Sequence, residues 1–285
     1  MRVGSKRSAQ RDAPPAPEPL APLVDAHTHL DACGAADAAG VRALIDRAAA
    51  VGVGAVVTVA DDLVSARWVT RAAAWDERVY AAVALHPTRA GALTDAARAE
   101  IETLAAHPRV VAIGETGLDL YWPGRLAGCA GPAAQKEAFA WHIDLAKRIG
   151  KPLMIHNREA DAGILDVLAA EGAPDTVIFH CFSSGRDMAH HCAGAGWFLS
   201  LSGTVSFRNA RDLREAVPLI PAGQLLVETD APFLTPHPYR GAPNEPYCLP
   251  YTVRELAGLL DLPAAELARI TTENACRVYR LPAKP

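Results

Sequence analysis

The chain alternates between short apolar runs and longer segments in which apolar residues recur at helical spacing. The apolar runs are rich in β-branched and aliphatic residues, and they predict eight strands, at Val24–Leu30, Ala55–Ala60, Val79–His86, Val110–Glu115, Pro152–His156, Thr176–Phe182, Trp197–Ser202 and Leu225–Thr229. The segments between and after them predict helices at Asp37–Ala50, Leu63–Trp75, Thr94–Ala106, Ala133–Ile149, Asp161–Glu171, Arg186–Ala195, Asn209–Val217, Pro250–Leu260 and Pro263–Ala275. Each helix is indicated by its apolar spacing or by a cap residue near its start.

Strands that are almost continuously apolar and alternate with helices indicate a parallel sheet covered by helices. The count of eight favours an α/β fold of the closed (β/α)8 TIM-barrel type, with the last two helices as extra C-terminal elements. The length of 285 residues fits one such barrel or two ordinary domains. An open doubly wound sheet is the structural alternative, but no Gly-x-Gly-x-x-Gly turn follows the first strand. We expect one barrel domain over residues 22–285.

The first 21 residues differ in composition from the rest of the chain. They contain four basic residues, and prolines stand where the apolar core of a signal peptide would lie. This composition predicts a disordered, solvated leader over residues 1–21, with a nucleic-acid-binding arm as the alternative. No uninterrupted apolar run in the chain reaches the length of a membrane span, so no membrane contact is expected.

The cysteines and the net charge restrict the compartment and the type of partner. The six cysteines are scattered with no Cys-x-x-Cys pair, which argues against a zinc finger and against a disulfide framework. We therefore expect a cytoplasmic protein in a reducing compartment. The net charge of −4 is unlike that of proteins that coat long duplexes. If nucleic acid is the partner, contact must be local, through a few arginines around one site.

Ionisable residues gather at the predicted carboxyl ends of the strands, where barrel enzymes place their chemistry. These residues are His27, His29, His86, Glu115, His156, Arg158, His180, Glu228 and Asp230. A single histidine at a strand end usually makes its hydrogen bonds within the fold and binds no ligand. A barrel, however, brings all eight strand ends onto one rim. Without a matching set of lysines or arginines, the histidines and carboxylates of that rim indicate a metal site.

The stretch VDAHTHL at residues 24–30 places three ionisable side chains at alternate positions of a buried strand. Alternate side chains of a strand point to one face, so His27 and His29 are expected to point inward toward a cation. Asp25 lies one step deeper on the same face. It is expected either to support a metal ligand or to make a structural hydrogen bond within the barrel.

Four histidines and two carboxylates at the rim make six candidate ligands. Six are too many for a single four- or five-coordinate ion that also holds water. They suit two divalent ions about 3.5–4 Å apart that share one carboxylate. The central strand position of Glu115 favours it as the bridge. Asp230 ends the last strand and is expected to bind one ion while it accepts a proton from the attacking water. Imidazole and carboxylate ligands are compatible with Mg, Mn or Zn.

These motifs resemble the TatD family of metal-dependent hydrolases, within the amidohydrolase-like superfamily. The similar segments are DAHTHLD at 25–31, LHP at 85–87, IGETGLD at 113–119, IHNREA at 155–160, HCFSS at 180–184, ETDAPFL at 228–234, RGAPNEP at 240–246 and TTENACRVYRL at 271–281. By position, the resemblance implies metal ligands at His27, His29, Glu115, His156, His180 and Asp230, with Asp230 as the catalytic acid and base. One departure is the segment at 121–135, which is longer and richer in Gly and Pro than the family's usual link.

The resemblance implies a metal-dependent deoxyribonuclease, often a 3′–5′ exonuclease on single-stranded ends, although some members are credited with deacylating D-aminoacyl-tRNA. The leading interpretation is a two-metal phosphodiesterase that acts on single-stranded or frayed nucleic-acid ends. Arg158 and Arg240 are candidates for phosphate contacts, with rim salt bridges as the alternative, and His86 is a candidate substrate contact. Asn244, in a Pro-rich turn, is a weaker candidate.

Two other classes of function stay open at this point. One is a metal-dependent ester or amide hydrolase, such as a D-aminoacyl-tRNA deacylase, because the ligand set alone does not separate carbonyl from phosphoryl chemistry. The other is a metal-binding scaffold without catalysis, against which Asp230 argues because it supplies both a ligand and a base. We expect the barrel to act as a monomer with no obligate protein partner.

Overall fold

The structure is a computed structural model, and it describes residues 11–20 and 22–282. Within these residues, eight parallel strands pair in chain order. They are β1 Leu23–Thr28, β2 Val53–Val59, β3 Val79–Val83, β4 Val110–Asp119, β5 Leu153–Arg158, β6 Val177–Phe179, β7 Phe198–Leu201 and β8 Leu225–Val227. The helices are α1 Ala38–Ala49, α2 Leu63–Trp75, α3 Asp95–Ala105, α4 Pro132–Ile149, α5 Asp161–Glu171, α6 Arg186–Ala195, α7 Arg211–Ala216, α8 Leu249–Leu260 and α9 Ala264–Tyr279.

Hydrogen bonds between β1 and the segment after β8 bring the two ends of the sheet together. The backbone N–H of Thr229 donates to Oδ1 of Asp25 (2.9 Å), and that of Asp230 donates to the carbonyl of His27 (3.0 Å). The predicted (β/α)8 TIM barrel is therefore confirmed. Asp25 takes the structural role, because its carboxylate holds β1 against Thr229. Burial raises the pKa of Asp25 to about 8, although the Thr229 hydrogen bonds oppose that rise.

Successive residues of each strand face opposite sides of the barrel wall. On β2, Val56 belongs to the apolar cluster that also includes the helices, whereas Val57 belongs to a second cluster that fills the interior. Val278 and Tyr279 of α9 join the interior cluster, and the hydroxyl of Tyr279 donates to the carbonyl of Ala26 (3.1 Å). The second C-terminal helix thus contributes to the interior packing beneath the rim.

Strand β4 continues four residues beyond the predicted end at Glu115. A Cβ atom at Gly114 would lie 2.4 Å from Cβ of Met154, and one at Gly117 would lie 2.1 Å from the carbonyl oxygen of His156. The two glycines therefore allow β5 to approach β4 more closely than any other residue type would. Pairing extends to Asp119 opposite Arg158, which places both at the carboxyl rim.

Residues 11–20 lie extended against the barrel and contain no helix or strand. The hydroxyls of Tyr247 and Tyr251 donate to the carbonyls of Pro14 (2.6 Å) and Pro15 (2.9 Å), and Arg254 donates to Glu18 (2.7 Å). These contacts correct the expected disorder for residues 11–20. A proline-rich segment is already extended, so it has little freedom to lose on docking. The other leader residues, 1–10 and 21, lie outside the described residues.

His142 of α4 gives the barrel a specific dependence on pH. It is fully buried, and its Nε2 accepts a hydrogen bond from the backbone of Leu85 (3.3 Å). Burial lowers its pKa to about 4, whereas an unfolded chain has a histidine pKa of about 6.5. Between these values the unfolded state binds a proton that the folded state does not, so stability falls as the pH decreases. We expect His142 to account for a loss of about 3 kcal/mol over this window.

Denaturant unfolding at several pH values checks this expectation. The free energy of unfolding of His142→Gln should fall less steeply between pH 6.5 and 4 than that of the wild-type protein. His237→Gln serves as a control, because His237 is exposed. Parallel curves for His142→Gln and the wild-type protein would contradict the assignment.

Candidate metal centre

His27 of β1 and His29, which lies just after that strand, converge at the barrel mouth. Nε2 of His27 and Nε2 of His29 lie 3.1 Å apart, and both rings are buried. The opposite nitrogen of His27 lies 3.2 Å from the sulfur of Met154, and that of His29 lies 3.1 Å from the carbonyl of Val59. The prediction that both side chains point inward is confirmed. Two imidazole nitrogens directed at each other in this way suit a shared cation.

Asp230 completes the first group of ligand atoms. Its Oδ1 lies 3.6 Å from Nε2 of His27 and 3.6 Å from Nε2 of His29. The residue has a φ of 51°, in the left-handed region that non-glycine residues seldom adopt. The backbone hydrogen bond to β1 fixes this conformation. Such a conformation at a buried carboxylate is typical of functional sites.

Glu115 of β4 lies between the two sides of the centre. Its Oε2 lies 2.5 Å from Nε2 of His180 and 3.5 Å from Nδ1 of His156. The same oxygen lies 3.8 Å from Nε2 of His27, and Oε1 lies 3.6 Å from Nε2 of His86. The structure thus gives Glu115 the central position that the sequence assigns to a bridging carboxylate.

Two further carboxylates hold the outer nitrogens of the histidine ligands. Glu228 Oε1 lies 3.3 Å from Nδ1 of His180 and accepts a hydrogen bond from the backbone of Cys181 (2.7 Å). Asp119 Oδ2 lies 3.1 Å from Nε2 of His156. Such partners fix the tautomer and the ring orientation of a metal-binding histidine. The sequence places Glu228 among the rim residues without a supporting role and gives Asp119 no role, although Asp119 stands in the IGETGLD segment and Glu228 in the ETDAPFL segment.

Neighbouring carboxylates favour the protonated form of two histidines of the centre. Burial disfavours protonation of His29, but its hydrogen bond to Asp230 and the charges of Asp61 and Glu115 raise its pKa to about 10. Burial likewise opposes protonation of His180, yet Glu115 and Glu228 raise its pKa well above the usual value. Protons on these rings supply positive charge that a divalent ion would otherwise supply. Metal binding must displace them, so metal affinity should increase with pH.

The ligand atoms fall into overlapping groups in which all atoms lie within 4.8 Å of one another. These groups are His27, His29 and Asp230; His27, His180 and Glu228; His86, Glu115 and His156; and His29, Asp61 and Glu115. The six predicted metal ligands all belong to these groups, and His86, Asp61 and Glu228 join them. A donor set of imidazoles and carboxylates fits a divalent ion such as Zn or Mn. His86 therefore lies at the centre itself.

The other predicted substrate residues occupy different surroundings. The guanidinium of Arg158 lines the cavity above the centre and stacks 4.0 Å from the ring centroid of Tyr121. The guanidinium of Arg240 stacks 4.3 Å from the ring of Phe207, and the structure does not bring it to the cavity lining. Asn244 is buried, and its amide donates to the carbonyls of Thr229 (2.9 Å) and Phe233 (2.5 Å). Asn244 thus holds the loop after β8.

Replacing Glu228 by glutamine is expected to weaken metal binding by about 10–100-fold, a typical effect of losing an outer carboxylate partner. Glutamine retains an oxygen for the backbone of Cys181 but removes the charge beside His180. Titration of chelator-stripped protein with Mn or Zn measures the change. Glu171→Gln is the matched control, because Glu171 is exposed at the end of α5. Equal affinities in the two variants would refute the role of Glu228.

Buried imidazoles and carboxylates at the carboxyl rim of a (β/α)8 barrel define a metal-dependent hydrolase. The family model described as TatD related DNase matches residues 24–280. The chain belongs to this TatD family.

Individual relatives agree with this assignment. An uncharacterized metal-dependent hydrolase, TatD, of Mycobacterium tuberculosis is 76% identical over 91% of this chain and 98% of the relative. A Yersinia pseudotuberculosis protein named 3′-5′ ssDNA/RNA exonuclease TatD is 35% identical, over 84% of this chain and 92% of its own. The crystal structure of the TatD homologue YJJV from Escherichia coli superposes with a TM-score of 0.82 at 27% identity, covering 91% of this chain and 98% of that one.

No helix within residues 11–20 and 22–282 combines the length and the apolar character that a membrane crossing requires.

Proposed function

We propose that this hydrolase cleaves phosphodiester bonds at the 3′ ends of single-stranded or frayed nucleic acids, with two divalent ions (Mg, Mn or Zn) as cofactors. The observation that carries the proposal is the position of Asp230, within 3.6 Å of both His27 and His29 at the edge of a solvent-accessible cavity of about 600 Å³. The name of the Yersinia relative and the description of the family model support this choice of substrate.

The chain's own residues have separable roles in this proposal. Asp230 accepts the proton of the attacking water and returns it to the leaving oxygen. Arg158 binds a phosphate oxygen from the side of the cavity, since its guanidinium makes no ion pair with any described residue. Bound divalent ions supply Lewis-acid stabilisation of the charge that develops on the phosphate. Glu115, at the centre of the histidines, directs Oε1 toward His86 and Oε2 toward His180, so it is the residue that would bridge the two ions.

We therefore propose that the partner is the end of a nucleic-acid strand. The chain acts as a monomer, without an obligate protein partner. The net charge of −4 gives little long-range attraction for polyanions. Binding must then depend on the few phosphates that enter the cavity. A strand end enters a recessed mouth more readily than an internal duplex segment does.

A panel of substrates with Mg, Mn and Zn tests the proposal. We expect a 3′-labelled linear single strand to lose mononucleotides from its 3′ end, while a closed circular single strand of the same sequence resists. The matched substrates isolate the requirement for an end. If circles are cut as fast as linear strands, the end-acting proposal fails. If only a D-aminoacyl-tRNA or an aryl ester is hydrolysed, the enzyme is an ester hydrolase.

A further inference from the structure

The loop that follows β4 forms one wall of the cavity. Trp122 and Leu126 of this loop line the cavity. The backbone N–H groups of Tyr121 and Trp122 both donate to Oδ1 of Asp119 (3.0 Å each). The other oxygen of Asp119 contacts His156. The carboxylate that orients a metal ligand therefore also fixes the start of this wall.

Arg158 is stacked on this wall with its donors available. Its guanidinium lies 4.0 Å from the ring centroid of Tyr121 and 5.4 Å from that of Trp122. Among the described residues, no carboxylate lies within 4.0 Å of it, and no side-chain or backbone oxygen accepts a hydrogen bond from it. The aromatic ring orients the guanidinium plane, and its N–H edge stays available for an anion.

Phe233, in the loop after β8, belongs to another wall of the cavity. Its side chain is 54% exposed, and its ring centroid lies 6.0 Å from that of His29. Its backbone is fixed, because its N–H donates to Asp230 (2.9 Å) and its carbonyl accepts from Asn244. A half-exposed aromatic ring contributes little burial energy to the fold. Such an exposed ring beside a candidate metal centre is typical of a binding surface.

The two aromatic residues lie on opposite sides of the mouth. Strands β4 and β8 are four positions apart in a ring of eight, so the loops that follow them face each other across the barrel. Trp122 and Leu126 line one side of the cavity, and Phe233 and Leu234 line the other. Glu115 and Asp230 lie between them. Apolar aromatic walls offer nothing to a phosphate, but they suit the planar faces of unpaired nucleobases.

We propose that Trp122 and Phe233 are stacking subsites for the unpaired bases of a strand end, and that Arg158 binds the phosphate between them and the metal centre. This inference rests on the proposed function, and it deepens it by naming what the cavity recognises. The ligand is a single strand with its bases present. A phosphodiester without bases would reach the centre but would leave both aromatic walls uncovered.

Equilibrium binding tests the stacking subsites without requiring turnover. The probe is a short dye-labelled strand with phosphorothioate linkages at its 3′ end, compared with the same strand made abasic at its last residues. The wild-type protein should bind the strand with bases at least about tenfold more tightly, since stacking one base on an aromatic ring commonly has an effect of this size. Fluorescence anisotropy in the presence of Mn measures both affinities.

Substitutions at Trp122 separate stacking from simple apolar contact. Trp122→Leu retains apolar surface but lacks an aromatic face, so the preference for bases should decrease about tenfold, whereas Trp122→Phe should retain most of it. Phe233→Leu should lower the preference in the same way. Trp141→Leu is the matched control, because Trp141 also has an arginine, Arg98, over its ring (5.4 Å) but lies on α4 away from the cavity lining.

The role of Arg158 has its own readout. Each phosphate neutralised on a single strand contributes about −0.7 to the log–log dependence of affinity on salt concentration. Arg158→Ala should therefore make the slope less negative by about 0.7, with the same change for intact and abasic strands. An unchanged slope would show that Arg158 does not bind a phosphate of the strand.

Cleavage assays distinguish failure of this inference from failure of the proposed function. Trp122→Leu should raise the KM for the strand about tenfold, whereas the control Trp141→Leu, away from the cavity lining, should leave that KM unchanged. If the wild-type protein cleaves strands, but Trp122→Leu and Phe233→Leu retain the full preference for bases, the stacking subsites are refuted and the proposed function stands. If the wild-type protein cleaves no phosphodiester yet prefers strands with bases in a Trp122-dependent manner, the subsites stand and the proposed function fails.

Discussion

Replacement of Asp230 by asparagine is expected to reduce hydrolysis by several orders of magnitude while the protein stays folded. Loss of a general base alone typically costs about 10²–10⁴-fold, and the change also removes a negative charge beside His27 and His29. Asparagine is nearly isosteric and tolerates the left-handed backbone conformation of this residue. The loss should therefore appear in the turnover rate and not in the free energy of unfolding.

A matched control exists elsewhere in the chain. Asp261 has a φ of 52°, close to the 51° of Asp230, but it is exposed at the end of α8. Asp261→Asn makes the same chemical change in the same backbone conformation, so its activity should equal that of the wild-type protein. Steady-state rates and denaturant unfolding of both variants complete the test. Near-normal turnover by Asp230→Asn would refute its role as proton acceptor.

Replacement of Glu115 by glutamine is expected to have the second largest effect. The carboxylate of Glu115 lies within 4 Å of nitrogens of His27, His86, His156 and His180. Outer partners of metal ligands already contribute about 10–100-fold to affinity or activity, so loss of a charge at the centre itself should exceed about 100-fold. The variant should lose bound metal together with its activity.

Elemental analysis and rate measurements on the same preparation check this outcome. Glu137→Gln is the control, since Glu137 is an exposed residue of α4 whose ion pair with Arg98 lies on the protein surface. Glu115→Gln that retains both its full metal content and its activity would show that Glu115 does not hold the ions together.

The barrel could be predicted from the sequence because its signals are local. Runs such as those of β2 and β3 are apolar on both faces, and caps such as Asp62 mark where the helices begin. The extension of β4 was not predictable in this way. It depends on how closely β5 approaches Gly114 and Gly117, and that approach is a property of the assembled sheet.

The convergence of the six proposed ligands could be predicted because a barrel converts position at a strand end into position at a common centre. The supporting contacts of Asp119 and Glu228 could not, because they depend on which way each imidazole ring turns. The docking of residues 11–20 could not be predicted either, because it depends on contacts that are distant in sequence. Tyr247 and Tyr251, which hold the leader, lie more than 200 residues away in sequence.

The proposed function requires the buried imidazoles and carboxylates at the barrel mouth to hold two divalent ions. The most direct measurement is elemental analysis of protein purified without chelator, then dialysed, stripped and reconstituted with Mn or Zn. We expect the metal content to rise to about two equivalents per chain, as in a two-metal hydrolase, and the Asp230→Asn and Glu115→Gln variants to hold less. Protein that stays metal-free under added Mn and Zn would show that these residues are not a metal site.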